Sequence, residues 1–217
     1  MILAKTVEAL SPELPFAVTS GVLSVTDPCY QNSNPSEVIA AVRNGPWLAQ
    51  VGYYRDGADL IALERHLAEL RDIQRTAAHL GGQAATVIGA NLEESLKRAT
   101  AAKADYRGRA AFLRIRHSGA VPINDLAAAK RLRFTVSVDS GQAGFFDRAA
   151  FVAVCGPDFE AFYERVGGLT MGQECFGVLP FGVAAQSGYG DGGYAAHVVR
   201  DLAGLAIAAV IVFIDNS

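Results

Sequence analysis

Leu60, Leu63, Leu67, Leu70, Ile73, Ala77 and Leu80 recur every three or four residues, while Glu64, Arg65, Glu69, Arg71, Asp72 and Arg75 fill the other face. That period predicts an amphipathic helix stopped by Gly81-Gly82. A second helix is expected to start at Asn91, with Glu94 three positions on completing a capping pattern, and to end before Gly108. On either side the period falls to two. Gly21–Thr26, Trp47–Tyr54, Arg109–Arg116 and Phe134–Val138 read as strands, with Arg114 and Arg116 placed as on a solvated strand face. Asp125–Leu132 reads as a short helix and Phe151–Cys155 as a buried strand. Asp158 is expected to cap a helix carrying Phe159, Phe162, Tyr163 and Val166 on one face and ending at Gly167-Gly168. The last elements form a hairpin, Tyr194–Arg200 and Leu205–Ile214 around the turn Asp201–Gly204, and the unbroken apolar run predicts a covered central strand. Strands joined by tight turns, with segregated helices, predict an α+β fold with a mainly antiparallel sheet or small sandwich. The expectation is one domain, 1–217, with a two-helix insertion at about 58–107.

Three turns rich in glycine and aspartate stand beside the strands: Ser24-Val-Thr-Asp-Pro-Cys-Tyr30, Val136-Ser-Val-Asp-Ser-Gly-Gln-Ala-Gly-Phe-Phe-Asp147 and Ser187-Gly-Tyr-Gly-Asp-Gly-Gly-Tyr194. Glycine permits positive φ and close backbone approach, so a carboxylate set among glycines can be aimed at a target. Asp139 and Asp147 are read as bracketing a glycine-rich loop with free backbone N–H groups. If Asp27, Asp139 and Asp191 converge, they repel unless a divalent metal or a shared proton lies between them. The plainer alternative is three independent turn aspartates. Cys29 follows a strand, where a thiolate can be exposed, but sequence places no base beside it. The aromatics near these turns, Tyr30, Tyr189 and Tyr194 among them, either meet a ligand or seal the ends of the sheet.

Several classes are disfavoured. Gly188–Gly193 matches the dinucleotide fingerprint in letters, but a strand-like run follows where a helix is needed. Ser140 and Ser187 lack the glycine two positions earlier that a hydrolase elbow requires, and no zinc-protease or phosphate-loop motif occurs. A net charge of −3 without a basic run argues against nucleic acid as a partner. Three widely spaced cysteines argue against a disulfide framework or structural zinc and suit a reducing cytoplasm. Leu202–Ile214 is short for a membrane helix, so no membrane partner is expected.

Taken together, the Asp-Pro-Cys-Tyr turn, the Val-Asp-Ser-Gly-Gln-Ala-Gly-x-Phe-Asp stretch and the Ser-Gly-Tyr-Gly-Asp-Gly-x-Tyr motif resemble those of a bacterial and phage family built on a domain of unknown function. The resemblance spans Gly21–Tyr54 and Arg109–Phe213, with the helical stretch as an insertion that short members lack. It implies a shared architecture and a site face at Asp27, Asp139, Asp147 and Asp191, and no reaction. The expected function is a binding or interaction domain taking a small polar ligand or a protein partner. Its candidate site residues are Asp27, Cys29, Tyr30, Asp139, Ser140, Gln142, Asp147, Tyr189, Asp191 and Tyr194. The alternatives are a metal-dependent hydrolase using the aspartates, with His117 or His197 as acid or base, and a structural or assembly protein. Oligomeric state has no signal in the sequence.

Overall fold

The computed structural model describes residues 3, 7–30, 37–79, 83–156 and 158–215. The chain forms two compact units, Met1–Tyr54 with Arg109–Ser217, and Arg55–Gly108. In chain order the first unit begins with β1 (Ala9–Leu10), β2 (Leu14–Val18), β3 (Leu23–Thr26), β4 (Val38–Ile39) and β5 (Gly45–Tyr54). The second unit holds α1 (Gly57–Ala77) and α2 (Gln83–Ala104). The first unit resumes with β6 (Arg109–His117), β7 (Lys130–Val138), β8 (Gln142–Asp147), α3 (Arg148–Val154) and α4 (Phe159–Thr170). It ends with β9 (Phe176–Leu179), β10 (Gly182–Gln186), β11 (Gly192–Arg200) and β12 (Ala206–Val212).

The strands build two sheets. One has seven strands in the order β1-β5-β6-β12-β11-β7, with β2 also paired to β5, and the other runs β4-β3-β8-β10-β9. The ladders between these strands are antiparallel. Period two sends Trp47, Ala49, Val51 and Tyr53 of β5 into one core with Leu113, Ile115 and Ile211, shared with Leu23, Val25, Phe145 and Val183 of the smaller sheet. On the other face of the smaller sheet, Phe146, Leu179 and Ala184 meet Phe151, Phe162 and Val166 of α3 and α4. The fold is therefore α+β, an antiparallel sandwich with helices over one of its sheets. β12 lies between β6 and β11 and is mostly buried, as its apolar run predicts.

The structure corrects several local expectations. Phe151–Cys155 belongs to a helix rather than a strand, because the Asp147 carboxylate accepts from Ala150 N at 3.1 Å and starts α3, of which only Phe151 is buried. The supposed glycine-rich loop up to Asp147 is a turn of three residues followed by β8, every residue of which is buried. Asp125–Leu132 contributes only a 3-10 turn, Leu126–Ala128, before β7 begins at Lys130. Asp158 makes no side-chain cap bond, and α4 runs through Gly167-Gly168 to Thr170. Arg114 and Arg116 lie on a covered face: Arg114 is buried, and Arg116 is held by Glu13 at 2.8 and 2.6 Å.

In the second unit, Asp56 caps α1 by accepting from Ala58 N at 2.8 Å, and Leu67, Ala77, Leu92 and Ala99 are buried. Asn91 is interior to α2 rather than its cap, and its carbonyl accepts from Ser95 Oγ at 2.9 Å. Glu94 and Arg98, one turn apart on α2, pair at 2.9 Å. The stop predicted at Leu80 and Gly81-Gly82 lies outside the described residues. Among the described residues no helix is long and apolar enough to cross a membrane.

Candidate functional site

The site begins with a fully buried carboxylate. β3 ends at Thr26, and Asp27 Oδ1 accepts from Cys29 N at 2.8 Å and Ser140 Oγ at 2.6 Å. Its Oδ2 accepts from Asp139 N and Ser140 N, each at 2.8 Å. Asp27 thereby ties the end of β3 in one sheet to the turn leaving β7 of the other. Asp139 turns outward and accepts from the Tyr30 hydroxyl at 2.6 Å.

The third turn joins the second directly, because Ser187 N donates to Gly141 O at 2.9 Å. Within that turn Ser187 Oγ donates to Gly190 O at 2.7 Å, and the Tyr194 hydroxyl sits 2.7 and 2.6 Å from the carbonyls of Ser187 and Gly190. Arg109, at the start of β6, donates to Gly188 O at 3.2 Å and places its guanidinium carbon 4.7 Å from the centre of the Tyr189 ring. Tyr189 is 58% exposed, and Asp139 and Asp191 are also exposed. The three turns thus meet at one rim.

Not every candidate joins them. Gln142 is buried beneath the rim, where its Oε1 accepts from Thr170 Oγ1 at 2.9 Å. Asp147 stands at the opposite end of β8, about 17 Å away at strand rise. There its Oδ2 accepts from Thr19 N at 2.6 Å and Ser20 N at 2.7 Å while Oδ1 caps α3. His117 ends β6 at the far side from Arg109, about 27 Å along the strand. Its ring packs edge-on against Trp47, and its Nδ1 accepts from Gly119 N at 3.2 Å. His197 lies within β11, where burial and the nearby Arg131 lower its pKa and keep the imidazole neutral. Sequence reasoning missed Arg109, which reaches Gly188 across 79 positions and carries no local signal of that contact.

The chemistry of the rim follows from these bonds. Burial, then the hydrogen bond to Asp27 and its charge, push the Cys29 thiol up to about 12, so it is a protonated thiol at neutral pH and no nucleophile. The bond to Asp139, then burial and the surrounding negative charge, push Tyr30 up as well. Four protein donors already occupy the lone pairs of Asp27. Among the described residues no three His, Cys, Asp or Glu side chains are grouped to hold a metal ion.

Asp147 supports a prediction about folding. Burial acts to raise its pKa, but the N–H groups of Thr19, Ser20 and Ala150 together outweigh burial and hold it below the ordinary value. A depressed folded-state pKa stabilises the protein in full above the unfolded value of about 4, and that contribution is lost as pH falls through the folded value. Asp147→Asn is expected to cost about 1–3 kcal/mol near pH 7 in urea unfolding. The deficit relative to wild type should shrink steadily below about pH 4. An equal deficit at both ends of that range would contradict the assignment.

Comparison with protein-family models, curated sequences and solved structures returns no match for this chain.

Proposed function

We propose that this protein is an interaction domain, and that the rim made by its three turns recognises a basic segment of a protein partner. The observation that carries the reading is Tyr189, which is 58% exposed and held over Arg109 beside two outward carboxylates. A large aromatic on a braced backbone offers contact area with little ordering entropy left to lose, which is the character of a binding anchor. The bracing comes from the Ser187, Tyr194 and Arg109 bonds within that turn and from its junction with the Asp27-held turn through Gly141. The exposed carboxylates beside it, Asp139 and Asp191, add negative charge outside the half-buried Arg109. A hydrolytic reading lacks support. Cys29 and Tyr30 are held protonated, Asp27 is saturated, and both candidate histidines lie away from the rim.

Selection of short Lys/Arg-rich peptides from a displayed library is the test. Binders are expected to weaken about tenfold or more in Tyr189→Ala and in Asp191→Lys, and to weaken as salt rises. Leu202→Ala, in the exposed turn at the end of β11 opposite the rim, should leave them unchanged. Binders indifferent to both rim substitutions would overturn the reading. So would stoichiometric uptake of a divalent cation that Asp139→Asn abolishes, since that would make the rim a metal site.

A further inference from the structure

On the face of the larger sheet turned away from the shared core, β6 carries Phe112, Arg114 and Arg116 in alternation. Arg114 is only 7% exposed. Its Nε and Nη2 donate to Gln50 Oε1, and its Nη1 donates to Ile123 O at 3.0 Å and Asn124 Oδ1 at 2.7 Å. Every one of these acceptors is neutral. Glu13, the nearby carboxylate, is already engaged by two parallel bonds from Arg116. Arg116 therefore holds Glu13, and the buried Arg114 is left with neutral hydrogen-bond acceptors alone. Burial there lowers the Arg114 pKa, so the site penalises the charge it holds. A guanidinium has five N–H donors, and the four bonds above leave one on Nη2.

Beside this group lies a cavity of about 300 Å³. Its apolar walls are Val7, Ala9, Leu10 and Phe112, and its polar wall is Arg114 with Asn124. Phe112 forms a flat floor because its cross-strand partner is Gly52, where a Cβ would come within 2.4 Å of the ring. Arg114 is stacked 5.6 Å from the centre of that ring. Glu8 also borders the cavity, which disfavours a second negative charge on any occupant. Small-molecule sites combine apolar walls with a few placed polar groups and start at roughly this volume.

We propose that this cavity binds a small apolar monocarboxylic acid, with its carboxylate on Arg114 and its hydrocarbon body against Phe112 and Leu10. The site is separate from the rim and does not depend on it. The test is an NMR titration of the full chain with benzoate and with benzyl alcohol, which keeps the ring and removes the charge. Benzoate is expected to bind saturably and about tenfold or more tightly than the alcohol, shifting the amides of residues 7–10, 112 and 114. Arg114→Lys keeps the charge but loses the planar fork, and should weaken benzoate by a similar factor. Because that change also breaks bonds to Gln50 and Asn124, Leu10→Trp provides an independent arm. Leu10 pairs with Gly52 on the face that carries Phe112 and is 47% exposed, so the larger ring covers the cavity and should abolish benzoate binding with the thermal midpoint unchanged. Equal affinity for acid and alcohol, benzoate binding that survives Leu10→Trp, or no saturable binding at roughly millimolar benzoate would each overturn the proposal.

Discussion

Asp27→Ala is expected to lower the unfolding free energy by about 3–5 kcal/mol, followed in urea through the fluorescence of Trp47, the single tryptophan and a fully buried one. The loss exceeds that of an ordinary turn aspartate because four donors converge on one buried carboxylate, three of them backbone N–H groups that cannot turn toward water. Alanine leaves Cys29 N, Asp139 N and Ser140 N without acceptors and releases the tie between the two sheets. Asp27→Asn retains one carbonyl oxygen but turns an amide toward donors, so it should recover only a minor part. Asp139→Ala, at an exposed position a few ångströms along the same network, should stay within about 1 kcal/mol of wild type. If Asp27→Ala were equally mild, the rim would have no rigid support and the binding reading would lose its physical basis.

Gly144→Ala is expected to cost about 3 kcal/mol or more, or to prevent accumulation of folded protein, although it adds a single methyl group. Gly144 lies in β8 between β3 and β10, opposite Thr26 and Ala184. A Cβ there would stand 2.3 Å from the carbonyl oxygen of Val183 and 2.7 Å from two carbons of the Phe146 ring. The first clash is with backbone of the neighbouring strand, so no rotamer change relieves it, and moving the strand disturbs the stacked Phe146 and Phe151 rings beneath α3. Gly89→Ala in α2 is the contrasting case. Nothing lies within 4 Å of its Cβ position, and alanine should stabilise that helix by about 0.5–1 kcal/mol, read by far-UV circular dichroism. A tolerated Gly144→Ala would contradict the packing of the smaller sheet.

These two residues also show where the sequence is readable. β5 has one buried face, β12 a nearly continuous buried run and α1 an apolar stripe centred on Leu67 and Ala77, so their period survives in the residue pattern. That of β8 and β10 does not, because core residues on one face and helices on the other bury both, and glycine takes positions where neighbouring backbone leaves no room for a side chain. Gly144 and Gly182 then look like loop residues although they lie in strands. α3 was hidden for another reason. Phe151-Val-Ala-Val carries a strand-like composition, and the Asp147 cap that makes it a helix is shared with Thr19 and Ser20, residues far away in sequence. The three turns stand out in the sequence as a motif set, but their meeting at one rim was not legible there, since it rests on bonds such as Asp27 to Ser140 and Ser187 to Gly141 between distant positions. Nor was the division of labour among their aspartates, since nothing local distinguishes the buried Asp27 from the exposed Asp139 and Asp191, or shows that Asp147 serves the opposite end.

The connection between β5 and β6 has a consequence for how this chain tolerates change. The helical stretch departs after Tyr54 and returns at Arg109, and those two residues are register partners in one antiparallel ladder. Entry and exit stand side by side, so a tight hairpin could close the same gap and the pairing from Trp47 to His117 would not change. The junction behaves as a socket: helices, a short turn or a foreign module can be exchanged there with the ladder beneath left intact.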